Sequence, residues 1–243
     1  MTWSIVAKDA SGALGVIVAS RFFAVGALCP HACSDIAAMS TQALVNPNYA
    51  PLALEMLAQG IAPEFVVRTL TEQDAGRDHR QLHMVDALGR VAAHTGGACI
   101  EWCGDSGVKW QSEGFSVAGN MLAGPRVIED TAQAYIAARD RSFAERLMTG
   151  MEAGEAAGGD KRGKQAAALL VYTTESYPAL DLRVDDHAEP LVELRRLYAK
   201  SLERFVPFVS CLPSRARPAG ITDRAAIEAE IARFQASRAP SER

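Results

Sequence analysis

The sequence predicts an α+β fold in which helix layers cover a pair of sheets. Strand patterns arrive in hairpins, and helical patterns arrive in pairs between those hairpins. Single alternation of strand and helix, the mark of a doubly wound parallel sheet, is missing. At 243 residues, 49% apolar and 22% charged, the chain can bury one sizeable core.

Residues 3–8 alternate large and small, and Leu14–Ser20 is almost continuously apolar. Asp9-Ala10-Ser11-Gly12 supplies turn chemistry between them, so the two runs read as an antiparallel hairpin. If Lys8 pairs with Ala13 or Leu14, counting back brings Thr2 opposite Ala19 or Ser20. Residues 36–44 form a third strand with the polar trio Ser40-Thr41-Gln42, stopped by Asn46-Pro47-Asn48. Leu52, Leu54, Met56 and Leu57, then Ile61, Phe65, Val66 and Leu70, mark helical segments divided by Gly60, with Pro63 acceptable in a first turn. Residues 81–86 and 90–94 make another hairpin, across which His83 and His94 are expected to face each other. A strand over 114–118 runs into Gly119-Asn120. Helices follow over 127–139 and 142–153, then a break at Gly158-Gly159-Asp160, strands over 165–173 and Leu180–Val184, and an amphipathic helix over 189–204. The domain is expected to cover 1–204. Residues 205–243, punctuated by Pro207, Pro213 and Pro218 and carrying a short helix over 223–236, read as an appendage.

A formal net charge of −4 with no basic block argues against a nucleic-acid partner. No apolar run approaches the ~20 residues of a membrane helix, and the opening residues lack the pattern of a secretory leader. A cytoplasmic protein without a membrane partner is expected. The five cysteines, Cys29, Cys33, Cys99, Cys103 and Cys211, do not suit a complete disulfide framework. Two C-x₃-C pairs leave a four-thiolate zinc site as a lesser alternative to free thiols, because Pro30-His31 makes the first pair irregular. No cofactor or metal is called for.

Motifs for serine-hydrolase, P-loop, zinc-protease and dinucleotide chemistry are missing. Attention falls on the N-terminus. Removal of Met1 would leave Thr2 carrying both a hydroxyl nucleophile and an α-amine with a pKa near 8, a base at physiological pH.

Several stretches resemble the bacterial family called domain of unknown function 1028. They are Thr2-Trp3-Ser4-Ile5-Val6-Ala7; Gly15-Val16-Ile17-Val18-Ala19-Ser20-Arg21-Phe22-Phe23-Ala24-Val25-Gly26; Thr41-Gln42-Ala43 with Asn46-Pro47; Gly119-Asn120-Met121-Leu122; Gly158-Gly159-Asp160-Lys161-Arg162-Gly163; and Arg183-Val184-Asp185-Asp186-His187. The resemblance runs over about residues 1–200. It implies kinship with the N-terminal-nucleophile (Ntn) hydrolases and, more distantly, proteasome β-subunits, and with it a four-layer αββα sandwich of two antiparallel sheets. Departures are visible: Ala19 stands where an aspartate is expected before Ser20-Arg21, and no lysine occurs between Arg21 and Gln42.

The resemblance implies an amide-bond hydrolase with Thr2 as nucleophile, Asn120 as oxyanion donor, and Arg21 and Asp160 as orienting charges. Ser20, Gln42, Asn46, Arg162 and Lys164 are expected around a small-molecule or peptide amide substrate. Plainer roles stand beside these: an Arg21–Asp160 ion pair, Asn120 as a helix cap, Gln42 and Asn46 satisfying loop backbone, and Asp185-Asp186-His187 capping the helix that follows. A non-catalytic binding or scaffold protein on the same fold is the competing reading. Sandwiches of this kind associate through their helix layers, and a homodimer is expected.

Overall fold

The computed structural model describes residues 2–238 and divides into two compact units, one running through Leu194 and one from Arg195 onward. The first unit is the αββα sandwich. One sheet holds β1 (Thr2–Lys8), β2 (Leu14–Ser20), β7 (Trp102–Asp105), β8 (Phe115–Leu122), β9 (Ala166–Tyr172) and β10 (Leu180–Val184). Its order is β10-β9-β2-β1-β8-β7, and every pairing is antiparallel. The other sheet takes β3 (Pro30–Cys33), β4 (Ala37–Ala43), β5 (Arg80–Asp86) and β6 (Val91–Thr95) in sequence order.

The pleat explains how the layers stack, since alternate side chains point to opposite faces. From β1, Trp3 and Ile5 face the helix layer of α3 (Arg126–Ala137) and α4 (Phe143–Ala156), while Thr2, Ser4 and Val6 face the other sheet. On the far side Met39, Leu82 and Met84 pack under α1 (Tyr49–Ala58) and α2 (Pro63–Gln73). Their neighbours Ala38, Gln42, Gln81, His83 and Val85 point inward between the sheets. One end of this inter-sheet layer is apolar, with Val6, Leu14, Val16, Ala38 and Val85 in contact. The other end is polar, and the functional geometry lies there.

The first hairpin turns on Asp9, whose Oδ1 accepts from the backbone of Ser11 and Ala13 at 2.8 and 2.9 Å. That turn fixes Lys8 opposite Leu14 and Thr2 opposite Ser20, as counted from the sequence. Two short strands escaped sequence reading. β3 carries a proline and a histidine in four residues, and β7 contains Gly104, so neither offers an alternating pattern to detect. The strand ending in Asn120 also continues to Leu122. His83 and His94 do not face each other. The register sets His83 against Ala93 and Leu82 against His94, placing the two rings on opposite faces.

Helix α4 begins with a capping box: Ser142 Oγ accepts from Glu145 N at 3.4 Å, and Glu145 Oε2 accepts from Ser142 N at 3.2 Å. Its Gly154 lets it approach closely, because a Cβ there would sit 2.1 Å from Thr131 Oγ1 and 2.9 Å from Trp3 Nε1. Alanine ordinarily gains ~1 kcal/mol over glycine inside a helix. Here the clash with a packed core outweighs it, and Gly154→Ala is expected to cost about 2 kcal/mol in urea unfolding. A stabilised variant would overturn this account.

Helix α5 (Pro190–Ser201) crosses the division between the units. At its start His187 Nδ1 accepts from Glu189 N at 3.0 Å, Asp185 binds Arg183, and Asp186 takes the Gln165 amide. The second unit contains α6 (Phe205–Val209) and α7 (Arg224–Arg238), with Arg204 paired to Glu228. Among the described residues no helix is long and apolar enough to cross a membrane.

Candidate functional site

Three strands of the larger sheet deliver polar residues to one spot. Thr2, at the start of β1, lies opposite Ser20 at the end of β2 and opposite Asn120 near the end of β8. Its hydroxyl donates to Ser20 Oγ at 3.2 Å, and Asn120 Nδ2 reaches the Thr2 carbonyl at 3.4 Å. Thr2 is 5% exposed and Asn120 2%, yet both line a cavity of about 630 Å³. The walls include Val25, Leu28, Cys29, Val45 and Met121. Burial pushes the Cys29 thiol up to about 12, so it stays protonated.

Two lining residues hold strained backbone. Ala43 at φ 67° ends β4 and Met121 at φ 54° follows Asn120, both in the left-handed region disfavoured for side-chain-bearing residues. Such outliers persist where surrounding structure over-determines them, often at ligand sites.

Behind Thr2 the polar end of the inter-sheet layer forms a connected chain. Asn120 Nδ2 donates to Gln81 Oε1 at 3.0 Å, which also accepts from Gln42 Nε2 at 2.8 Å. Gln81 Nε2 shares its hydrogens among Thr95 Oγ1, Gly104 O and Gly119 O at 2.9 to 3.1 Å. Ser4 Oγ donates to Gln42 Oε1 at 2.8 Å and lies 2.7 Å from His83 Nε2. Because its only hydrogen goes to Gln42, Ser4 must accept from His83 Nε2–H. The other ring nitrogen then accepts from Ser116 Oγ at 3.2 Å. Complete burial lowers the His83 pKa to about 3, and the ring is neutral.

This network occupies the side-chain amide of Asn120 and not its backbone N–H. Both hydrogens of its side-chain amide are committed, to Gln81 and to Thr2, so the side chain does not offer a free donor for an oxyanion. It is also no helix cap, since it sits within β8. Gln42 is wholly buried in the same chain of bonds and does not line the cavity. Asn46 is drawn away to Asp74, to whose Oδ2 its Nδ2 donates at 3.1 Å. Asp74 also accepts from the Tyr49 hydroxyl at 2.6 Å, and these bonds hold its carboxyl well below the usual range. Lys164 pairs with Glu155 and Glu189 and is likewise absent from the lining.

Arg21 and Asp160 do meet, but not as an ion pair between side chains. Asp160 Oδ2 accepts from the Arg21 backbone at 3.0 Å and Oδ1 from the Arg162 backbone at 2.8 Å. The Arg21 guanidinium donates instead to Arg162 O at 2.5 Å, while Arg162 approaches Asp160 at 3.4 Å and lines the cavity. Asp160 thus ties the loop after α4 to the end of β2. Asp160→Ala would remove the acceptor of two part-buried backbone donors, each bond contributing about 1–1.5 kcal/mol. A loss near ~2 kcal/mol is expected in chemical unfolding, with Asp160→Asn recovering part of it.

The sequence reading missed Phe22, Cys29, Leu44, His79, Arg80, Ile100 and Met121 around the cavity. A usable signal existed for two of them: Phe22 directly follows Ser20-Arg21 and Met121 directly follows Asn120, each near the end of a strand. Among the described residues no cluster of three or more His, Cys, Asp or Glu side chains is arranged to hold a metal ion.

Similarity to known proteins points to a family. A family model described as a family of unknown function, DUF1028, matches residues 2–194. A crystal structure of protein SPO2555 from Silicibacter pomeroyi, assigned to the same family model, is similar with a TM-score of 0.83 and 30% identity, over 91% of this chain and 96% of that one. Anbu (ancestral beta-subunit) from Yersinia bercovieri aligns with a TM-score of 0.38 and 12% identity, over 87% of this chain and 98% of its own. No curated protein matches the sequence.

Proposed function

The chain belongs to the DUF1028 family, and from that premise we propose that its sandwich carries an amide-bond hydrolase of the N-terminal-nucleophile type. The observation that carries this reading is the placement of Thr2: the opening residue of a central strand, braced on both sides, and part of the cavity lining.

After removal of Met1, Thr2 Oγ1 attacks the amide carbonyl while its proton passes to the Thr2 α-amine. The tetrahedral intermediate collapses, the C–N bond breaks, and the leaving amine takes that proton. Water, deprotonated by the same α-amine, then cleaves the acyl ester and restores the hydroxyl. Ser20 Oγ, 3.2 Å from Thr2 Oγ1, positions the nucleophile, whose proton turns from Ser20 to the α-amine for attack, and Asn120 holds the Thr2 carbonyl in place. Oxyanion stabilisation falls to backbone N–H groups of Asn120 and Met121 near the end of β8, where Met121 adopts positive φ, since the Asn120 side chain is committed. Asp160 and Arg21 fix the loop that closes one side.

One observation favours a second reading, ligand binding without chemistry: among the described residues, the cavity lining includes no carboxylate and no lysine to assist the amine. Intact mass of the untagged protein, before and after a β-lactone electrophile, separates the two. The hydrolase reading expects loss of Met1 and one adduct mapped to Thr2. A free Thr2 that never reacts leaves the binding reading in place.

A further inference from the structure

We propose that the ligand of this cavity is an amide whose acyl half is a long, uncharged apolar chain. The orientation of that amide rests on the reading of Thr2 as nucleophile, whereas the chemistry of the ligand rests on the cavity alone.

Among the polar lining residues His79, Arg80 and Arg162 are the more exposed, while Thr2 and Asn120 are nearly inaccessible at the bottom. Above them the walls are Val25, Leu28, Cys29, Val45 and Met121. At the mouth three large apolar side chains remain in water: Phe22 is 53% exposed, Leu44 62% and Ile100 61%. Single exposed apolar residues need no explanation, but a group converging on one opening marks a binding site. These three come from separate loops, after β2, after β4 and between β6 and β7. Chain folding has therefore assembled an apolar rim that local sequence does not require.

Charge points the same way. Of the arginines in the lining, Arg80 is paired with Asp74 at 3.0 Å and donates to Leu44 O at 2.5 Å, while Arg162 faces Asp160. Both guanidinium charges already have carboxylate partners within the protein, so neither demands an anionic ligand. At the ~30 Å³ share of a water molecule, the 630 Å³ volume holds roughly twenty non-hydrogen atoms. The acyl half is assigned to it because that half stays attached to Thr2 through both chemical steps, while the amine half must leave after the first.

Straight-chain carboxylic acids from four to twelve carbons, products of the proposed reaction, serve as probes in calorimetric titration of the full chain. No turnover is needed to read the result. Affinity is expected to rise roughly fourfold per added CH₂ until the rim is passed. Ile100→Asp, and separately Leu44→Asp, should weaken the longest acid at least tenfold and the shortest less than twofold; both positions are exposed, so folding is spared. Affinity independent of chain length overturns the proposal. So does a chain-length rise seen with alkylamines, the leaving halves, and not with the acids. The p-nitroanilides of the same acids keep the two readings apart. Length-dependent binding with no anilide cleaved leaves this proposal standing and sinks the hydrolase. Cleavage indifferent to acyl length does the reverse.

Discussion

Alanine at position 2 is expected to lower amide turnover by more than about a thousandfold while the protein stays folded. On the proposed reading the reaction loses its nucleophile, and removal of a nucleophile in hydrolases of this logic costs that much or more. The fold loses little: one hydrogen bond, from Thr2 Oγ1 to Ser20, net worth about 1 kcal/mol. Alanine is also small enough to leave Met1 removal intact. Thr2→Ser keeps the hydroxyl and should retain measurable activity with the same acyl preference. Turnover by the alanine variant at an unchanged melting temperature would remove Thr2 from the mechanism.

Acid should destabilise the protein through His83 well before its carboxylates are all protonated. Burial lowers the folded-state pKa to about 3, whereas the unfolded side chain titrates near 6.5. Above pH 6.5 the ring is neutral in both states and contributes no pH dependence. As pH falls from there toward 3 the unfolded state takes up a proton that the folded state refuses. Stability therefore falls by about 1.4 kcal/mol per pH unit within that window. His83→Gln, which offers amide groups to Ser4 and Ser116, should be less stable at pH 7 but should lose this slope between pH 6 and 4. Urea midpoints across that range measure it directly, and an unchanged slope would mean that the ring is protonated in the folded state.

The fold was readable because its strands and helices obey the two periodicities that sequence displays. The Asp9-centred turn fixed the first register, and from it the neighbourhood of Thr2 and Ser20 followed by counting. The alternation of Gln81 and His83 with Leu82 and Met84 already separated a polar face from an apolar one. What could not be read was partnership. Nothing local says that Gln42 bonds Gln81 or that Asn120 surrenders both amide hydrogens, because these contacts join strands about forty or more residues apart. The apolar rim was hidden for the same reason, being made of single residues from loops with no pattern of their own.

The bracing of β1 on both sides also sets an order of events during biosynthesis. The opening hairpin can form as soon as its residues emerge, but one edge waits for β8 and the other for β9, the first residue to arrive at Thr2's free side being Asn120. Until those strands are made, both edges are unpaired templates for aggregation. Asn120, Thr2's neighbour on that side, is not made until about half the chain is synthesised. On a growing chain Thr2 therefore lacks the setting described above, which, like the closure of its sheet, is a property of the finished molecule.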